Sequence, residues 1–224
     1  MKERKLWKKY NHAWVLLYAL IYMPWFCYLE QRTNVHYYYI KCALDYLIPF
    51  NRYFIVPYYL WFVFVGVTGM YFFFTDKKGF QKLAAFLITG MTLFLIVSTF
   101  YPTALHLRPL VVEGNDIFAK LVRLLYRLDT PTNVFPSIHV YNSLGCLVAI
   151  SNSEKLQKKR YVIPATRLMT VLIILSTLFL KQHSIIDVFG ACILALVMRV
   201  ILYGAEEYNR FKIRIKTGKR RAIL

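Results

Sequence analysis

Two short segments of the sequence place a histidine and other polar residues at the edge of an apolar run. The first is FPSIH, in which Ser137 and His139 begin the run that ends near Ile150. The second is KQHSIID, in which His183 and Asp187 stand four residues apart. Side chains with this spacing share one face of a helix. A carboxylate in that position can fix the tautomer of the imidazole and leave its other nitrogen available for attack or proton transfer.

A third polar segment, HLRP, supplies an arginine that could hold an anion. Arg108 is the type of side chain that binds a phosphate through two parallel hydrogen bonds. Pro136 suits the start of a helix and Ser137 can cap its amides, and a helix N-terminus favours an anion. Two histidines, an aspartate, an arginine and two helix ends therefore predict a site for phosphoryl transfer.

The composition indicates which kind of fold must position these residues. Of the 224 residues, 58% are hydrophobic, and several apolar runs approach the length that crosses a membrane. The net charge is +18, but the basic residues are concentrated between those runs, which indicates membrane topology and not nucleic-acid binding. The four cysteines lack CxxC spacing, so they predict neither a disulfide framework nor a zinc site.

The apolar runs predict an all-α, polytopic membrane protein. Six transmembrane helices would form one bundle, and residues 1–224 would form a single domain. The fourth run is short for a span and is expected to extend by about a turn into its flanks. The predicted spans cover approximately residues 12–29, 53–74, 80–100, 137–150, 162–180 and 184–203.

The distribution of lysine and arginine predicts the orientation of this bundle. Segments on one side of the predicted spans contain 20 of these residues and segments on the other side contain eight. The positive-inside rule therefore places both termini in the cytoplasm. HLRP, FPSIH and KQHSIID then share the outer face, so we expect a protein of the plasma (cytoplasmic) membrane whose site faces the exterior.

Two segments between the spans predict shorter helices. Residues 120–127 (KLVRLLYR) have amphipathic helical spacing. Residues 34–50 carry apolar residues at helical spacing and are expected to include a short helix in the outer interface, or a plain connecting loop.

The order Arg-Pro, Pro-Ser-x-His and His-x3-Asp resembles the type 2 phosphatidic acid phosphatase superfamily. The pattern of that family is Lys-x6-Arg-Pro, Pro-Ser-Gly-His and Ser-Arg-x5-His-x3-Asp, on a six-span fold. The resemblance implies that His183 is the nucleophile that forms a phosphohistidine, that Asp187 orients it, and that His139 protonates the leaving oxygen. It also implies that Arg108 and Ser137 bind phosphate oxygens, without a metal or another cofactor.

Three positions depart from the family pattern. Tyr101 stands in place of the lysine, Ile138 in place of the glycine, and Thr177 in place of the second arginine. Two cations are therefore missing, and Lys181, two residues before His183, is our candidate for replacing one of them in substrate binding. The motifs are also similar, more loosely, to those of inositol phosphorylceramide and sphingomyelin synthases, which transfer a phospho-headgroup to a lipid alcohol.

The resemblance covers about residues 101–187 by motif and most of the chain by topology. It implies an enzyme that is either a lipid phosphatase or a lipid phosphotransferase. The substrate would be phosphatidic acid, phosphatidylglycerol phosphate, a polyprenyl diphosphate or a phospholipid headgroup donor, and the expected partners are membrane lipids. Two alternatives stay open: a non-catalytic lipid-phosphate-binding protein of the same fold, and a transporter in which buried histidine and aspartate relay protons.

Overall fold

Helices form nearly all of the regular structure in the computed structural model. The structure describes residues 10–221, except for the side chains of residues 211 and 214–221. Residues 1–9, which contribute to the orientation argument, and residues 222–224 lie outside the described part. A 3-10 segment, Asn11–Tyr18, leads directly into the first α-helix. The α-helices are α1 (Ala19–Gln31), α2 (Ile55–Thr75), α3 (Lys77–Phe100), α4 (Ile117–Leu128), α5 (Ile138–Asn152), α6 (Glu154–Gln157), α7 (Val162–Phe179) and α8 (Ile185–Arg221).

Among the described residues, five helical segments are long and apolar enough to cross a membrane: Asn11–Gln31, Arg52–Thr75, Lys77–Phe100, Val162–Phe179 and Ile185–Arg210. They correspond to five of the six predicted spans, and the all-α prediction is confirmed. The remaining predicted span coincides with α5, which has 15 residues. At 1.5 Å per residue it is about 22 Å long, less than the roughly 30 Å of bilayer hydrocarbon.

The short helix α5 lies at the centre of the bundle, where it packs against α2, α3, α7 and α8. Its partner α3 approaches closely because both helices carry glycines at the contact. Gly90 of α3 lies against the ring of Tyr141, and Gly145 of α5 lies against the ring of Phe86. The Tyr141 hydroxyl donates to the Phe86 carbonyl at 2.8 Å, which fixes the relative position of the two helices.

The amphipathic helix predicted at 120–127 is present as α4. Its N-cap is Asp116, whose carboxylate accepts a hydrogen bond from the Ala119 amide at 3.0 Å. Its apolar face, which includes Val122 and Leu125, packs in one cluster with Ile55 of α2. α4 therefore lies against the outer part of the bundle beside the loop that carries HLRP.

The segment at 34–50 forms only a four-residue 3-10 helix, Ala43–Tyr46, and a short strand, β1 (Tyr38–Tyr39). This strand pairs in parallel with β2 (Thr103–Ala104), with Tyr38 opposite Thr103. The sequence pattern does not predict this pairing, because two-residue strands are too short for an alternating signal. The pairing joins the loop before α2 to the loop that contains Arg108.

Candidate active site

The two motif histidines, His139 and His183, lie side by side. His139 is in the first turn of α5, and His183 lies in the turn between α7 and α8. Their ring centroids are 5.8 Å apart, and each residue keeps less than a tenth of its surface exposed. A nucleophile about 3–3.5 Å from phosphorus and an acid about 2.6–3.2 Å from the leaving oxygen need such a separation. The pair can therefore flank one phosphoryl group.

Asp187 is positioned to orient His183, as the motif spacing predicts. Its Oδ2 lies 3.5 Å from the Nδ1 of His183, and the carboxylate is completely buried. Within the described residues, neither His183 Nδ1 nor Asp187 Oδ1 has a hydrogen-bond partner. A small rotation would join them, and catalytic hydrogen bonds are often long before substrate binds. In that arrangement Nδ1 faces the carboxylate and Nε2 is the nitrogen left for chemistry.

His139 is supported by aromatic side chains of α2. Its ring centroid lies 4.6 Å from that of Tyr58 and 4.4 Å from that of Trp61. Ser137 is the N-cap of α5, and its hydroxyl accepts from the Val140 amide at 3.4 Å. The Ser137 amide also donates to the Asp187 carbonyl at 3.4 Å, so the first turns of α5 and α8 are joined directly.

Arg108 reaches the residue that precedes the nucleophile candidate. Its guanidinium donates to the side-chain oxygen of Gln182 and to the Asp129 carbonyl, the latter at 2.8 Å. It also lies over the ring of Tyr126, 4.4 Å from the centroid. Burial lowers the pKa of Arg108, but the ordinary pKa of an arginine is so high that the side chain stays protonated. The positive charge therefore lies against Gln182, the residue that directly precedes His183.

Asp129 contacts the candidate site but belongs to none of the sequence motifs. Its Oδ2 accepts from the Tyr58 hydroxyl at 2.9 Å and from the Gln182 amide at 3.1 Å. Burial raises the pKa of the Asp129 carboxyl, while Tyr58 and Arg108 act in the opposite direction. Because Tyr58 also touches the ring of His139, the network links Arg108 to both histidines. No local pattern marks Asp129, which lies in the loop between α4 and α5.

The N-terminus of α8 is already occupied by carboxylates of the protein. Asp45 accepts from the Ile185 amide at 2.8 Å and from the Ser184 hydroxyl at 2.7 Å. Asp187 accepts from the Ser184 amide at 2.8 Å. The sequence predicts two helix N-termini that could bind a phosphate. Carboxylates of the protein already compensate the positive end of α8, so the N-terminus of α5 is the one available to a phosphate.

Lys181 does not point freely into the site. Its ammonium donates to the carbonyls of Asp45 (2.7 Å) and Ile48, which uses two of its three donors. Burial lowers the pKa of Lys181, while Asp45 raises it. The lysine thus holds the 3-10 helix Ala43–Tyr46 against the histidine turn, and its role in substrate binding stays a prediction.

The two positions where the family has cations hold uncharged side chains with structural contacts. Tyr101 is half exposed and its ring stacks on Tyr38, with centroids 4.0 Å apart. Thr177 is completely buried, and its carbonyl accepts from the amides of Gln182 (2.9 Å) and His183 (3.1 Å). Of the cations in the family pattern, Arg108 is the one that this sequence keeps, and it contacts Gln182, the residue before His183.

The arrangement and the apolar helices define an integral membrane protein with a paired-histidine site. The family model of the PAP2 superfamily matches residues 102–211, a segment that contains Arg108, His139, His183 and Asp187. This match confirms the resemblance seen in the motifs. The comparisons with curated proteins and with solved structures found no match. The match to this superfamily supports a phosphatase or phosphotransferase type of function in general.

Proposed function

We propose that this protein cleaves or transfers a phosphate ester of a membrane lipid through a phosphohistidine on His183. The observation that carries the proposal is the 5.8 Å separation of the His139 and His183 rings, with Asp187 against Nδ1 of His183. Suitable substrates are phosphatidic acid, a polyprenyl diphosphate or a phospholipid headgroup donor. All present a phosphoryl group at the membrane surface.

The first half of the reaction forms the covalent intermediate. Nε2 of His183 attacks phosphorus, the bond from phosphorus to the leaving oxygen breaks, and His139 gives that oxygen a proton. Asp187 stabilises the positive charge that develops on the His183 ring. Arg108 and the α5 N-terminus, capped by Ser137, stabilise the negative charge on the remaining phosphoryl oxygens.

The second half of the reaction regenerates His183. His139 is now neutral and takes a proton from the attacking hydroxyl, whose oxygen bonds to phosphorus while the bond to Nε2 breaks. Water as the attacking group makes the protein a phosphatase, and a lipid alcohol makes it a phosphotransferase. The same residues serve both outcomes, so the acceptor determines the product.

We also propose that α5 completes a six-span topology with both termini in the cytoplasm and the site at the exterior face of the plasma membrane. The first turn of α5 and the α7–α8 turn meet at the histidines, which supports one common face for the motifs. The excess of lysine and arginine at the opposite ends of the helices supports a cytoplasmic location for those ends.

The test is an assay of the purified full chain against lipid phosphates and diphosphates, with and without a lipid alcohol. Free phosphate and new lipid are measured together. His183→Ala and His139→Ala should each reduce both products by about a thousandfold or more. His106→Ala is the matched control, because His106 is exposed and stacks on Tyr39 at 4.3 Å outside the site. Full turnover in folded His183→Ala would contradict the proposal.

A second candidate is a non-catalytic lipid-phosphate-binding protein. It is favoured by the uncharged side chains at Tyr101 and Thr177, which leave fewer cations for a transition state than the family pattern has. Such a protein would bind a lipid phosphate saturably, and Arg108→Gln would weaken that binding. It would form no product and carry no acid-labile phosphate.

A further inference from the structure

A cavity lies at the end of the bundle away from His139 and His183. It has a volume of about 760 Å³ and is formed by α5, α6, α7 and α8. On α5 it extends from Leu144 to Asn152, and Asn152 is 13 residues beyond His139, about 20 Å along the helix axis. The volume is in the range of binding sites for small molecules and lipid headgroups. The cavity is therefore separate from the candidate active site.

Arginines dominate the charge of this cavity. Arg167, Arg199 and Arg210 line it together with one carboxylate, Glu207, which leaves an excess of two positive charges. Arg199 pairs with Glu207 at 3.1 Å, and Arg210 donates to the backbone and side-chain oxygens of Asn152. Arg167 is exposed, and within the part of the chain that the structure describes its side chain has no hydrogen bond or ion pair. One cation is thus left for an anionic ligand.

The depth of Arg199 indicates that the ligand comes from the membrane. Arg199 lies 14 residues after the start of α8, about 21 Å along a helix that crosses a hydrocarbon layer of roughly 30 Å. A charged side chain at that depth is costly and generally marks a functional contact. Its partner Glu207 lies two turns further along, and about half of the Arg199 side chain remains exposed.

The remaining walls select an amphipathic ligand. The cavity also has an apolar lining beside the arginines, which is formed by Leu144, Leu147, Val148, Ile163 and Leu196. A soluble phosphate would leave these walls without a partner, whereas a phospholipid fills them with acyl chain. A zwitterionic headgroup would not compensate the two excess charges. Basic pockets between transmembrane helices are known to bind anionic headgroups in this way.

We propose that this cavity binds an anionic glycerophospholipid, with the phosphate at Arg167 and Arg199 and part of an acyl chain along the α5 and α8 walls. The short helix α5 creates the room for it, because α8 continues well past the level at which α5 ends. The bound lipid joins α5, α7 and α8 at the end away from His139 and His183. It stabilises the folded bundle by mass action, since the unfolded chain has no such cavity.

The experiment adds phosphatidylglycerol or phosphatidylcholine to the full chain in detergent and counts bound lipids by native mass spectrometry, with thermal unfolding as the second readout. Phosphatidylglycerol should bind and raise the unfolding temperature, and phosphatidylcholine should not. Arg167→Gln, and separately Arg199→Gln combined with Glu207→Gln, should each weaken phosphatidylglycerol binding about fivefold or more. Cys192→Phe, which fills the cavity without changing its charge, should weaken it as well.

The matched control is the double variant Lys158→Gln and Lys159→Gln, which removes two exposed charges at the same end but outside the cavity lining. It should bind phosphatidylglycerol like the wild type. Equal loss in this control and in the cavity variants would overturn the proposal in favour of a general attraction to basic surface. Unchanged binding in the arginine variants, or equal competition by soluble glycerol phosphate, would overturn it too. His183→Ala should retain this lipid, so the outcome is independent of the proposed reaction.

Discussion

The carboxylate of Asp45 lies on the first turn of α8, although Asp45 and Ile185 are 140 residues apart in the chain. One oxygen is 2.8 Å from the Ile185 amide, and the other is 2.7 Å from the Ser184 hydroxyl and from the Cys42 amide. The aspartate thus caps its own 3-10 helix and the helix that follows His183. The loop before α2 is in this way part of the structure that positions the nucleophile candidate.

Asp45→Ala should therefore reduce both stability and activity. The loss of a helix cap typically costs about 1–2 kcal/mol, and the buried Ser184 hydroxyl loses its acceptor as well. Because His183 precedes this turn directly, we expect a fall in kcat that exceeds any change in KM. Thermal unfolding in detergent and the lipid assay measure the two effects.

The control for this prediction is Asp116→Ala. Asp116 caps α4 by accepting from the Ala119 amide, but it is only partly buried and pairs with Arg52 instead of contacting the turn that contains His183. It should lower the unfolding temperature without reducing turnover. If Asp45→Ala behaved in the same way as Asp116→Ala, the positioning role of Asp45 would be refuted.

The sequence predicted the helices well because each long apolar run forms a helix, and five of these helical segments are long enough to cross a membrane. The starts differ by a few residues where a cap operates: the third span was expected from residue 80, but Asp76 accepts from the Gly79 amide and α3 begins at Lys77. The sixth was expected to end near residue 203, but α8 continues to Arg221. Charged residues end an apolar run without ending a helix, so the pattern marks the end of the apolar run and not the end of α8.

The candidate site was predicted only in part, for a different reason. His139, His183, Asp187 and Arg108 stand in motifs with characteristic local spacing. The structure brings His139, His183 and Asp187 together and places Arg108 against Gln182, the residue before His183. The residues that connect them, such as Asp129, act through contacts between distant parts of the chain. Such contacts depend on packing, which leaves no periodic signal in the sequence.

Gln182→Ala tests the connection between Arg108 and the rest of the site. The amide of Gln182 bonds both the Arg108 guanidinium and the Asp129 carboxylate, so its removal leaves two partly buried polar groups with one partner fewer. We expect a loss of about 1–3 kcal/mol in unfolding free energy and a rise in KM of about tenfold, with a smaller effect on kcat. Steady-state kinetics and thermal unfolding provide the measurements.

Gln81→Ala serves as the control for Gln182→Ala, because Gln81 is exposed on α3. It should leave KM and stability unchanged. A Gln182→Ala protein with wild-type KM would show that Arg108 does not depend on Gln182 for its position.

Asp129→Asn should change how stability depends on pH. Burial raises the pKa of Asp129 in the folded state above its unfolded value of about 3.9. The stability associated with the protonated carboxyl is therefore fully present below that value and is lost as pH rises through the folded pKa. Asparagine is neutral throughout, so the variant should lose less stability than the wild type between about pH 4 and neutral pH. Unfolding temperatures of the variant and the wild type, measured over this pH range, test how steeply stability falls with pH.

Asp116→Asn is the control for Asp129→Asn, because its effect on the pH dependence of stability should have the opposite sign. A hydrogen bond from the Ala119 amide lowers the pKa of Asp116. Its contribution to stability is present above the unfolded pKa and is lost as pH falls through the folded pKa. The variant should therefore be less stable than the wild type near neutral pH and approach it in acid. Parallel pH profiles for the two variants would contradict the assignment for Asp129.

Gly90→Ala should disturb the site from within the bundle. A Cβ at Gly90 would overlap the ring of Tyr141, which cannot turn away easily because its hydroxyl is bonded to the Phe86 carbonyl. Overpacking of this kind costs about 1–3 kcal/mol. Tyr141 lies two residues after His139, so the displacement of α5 should also reduce kcat. Gly66→Ala is the matched control: no atom lies within 4 Å of the added Cβ, and alanine favours a helix over glycine. If both variants had the same unfolding temperature and turnover, the close approach of α3 and α5 would not be what positions His139.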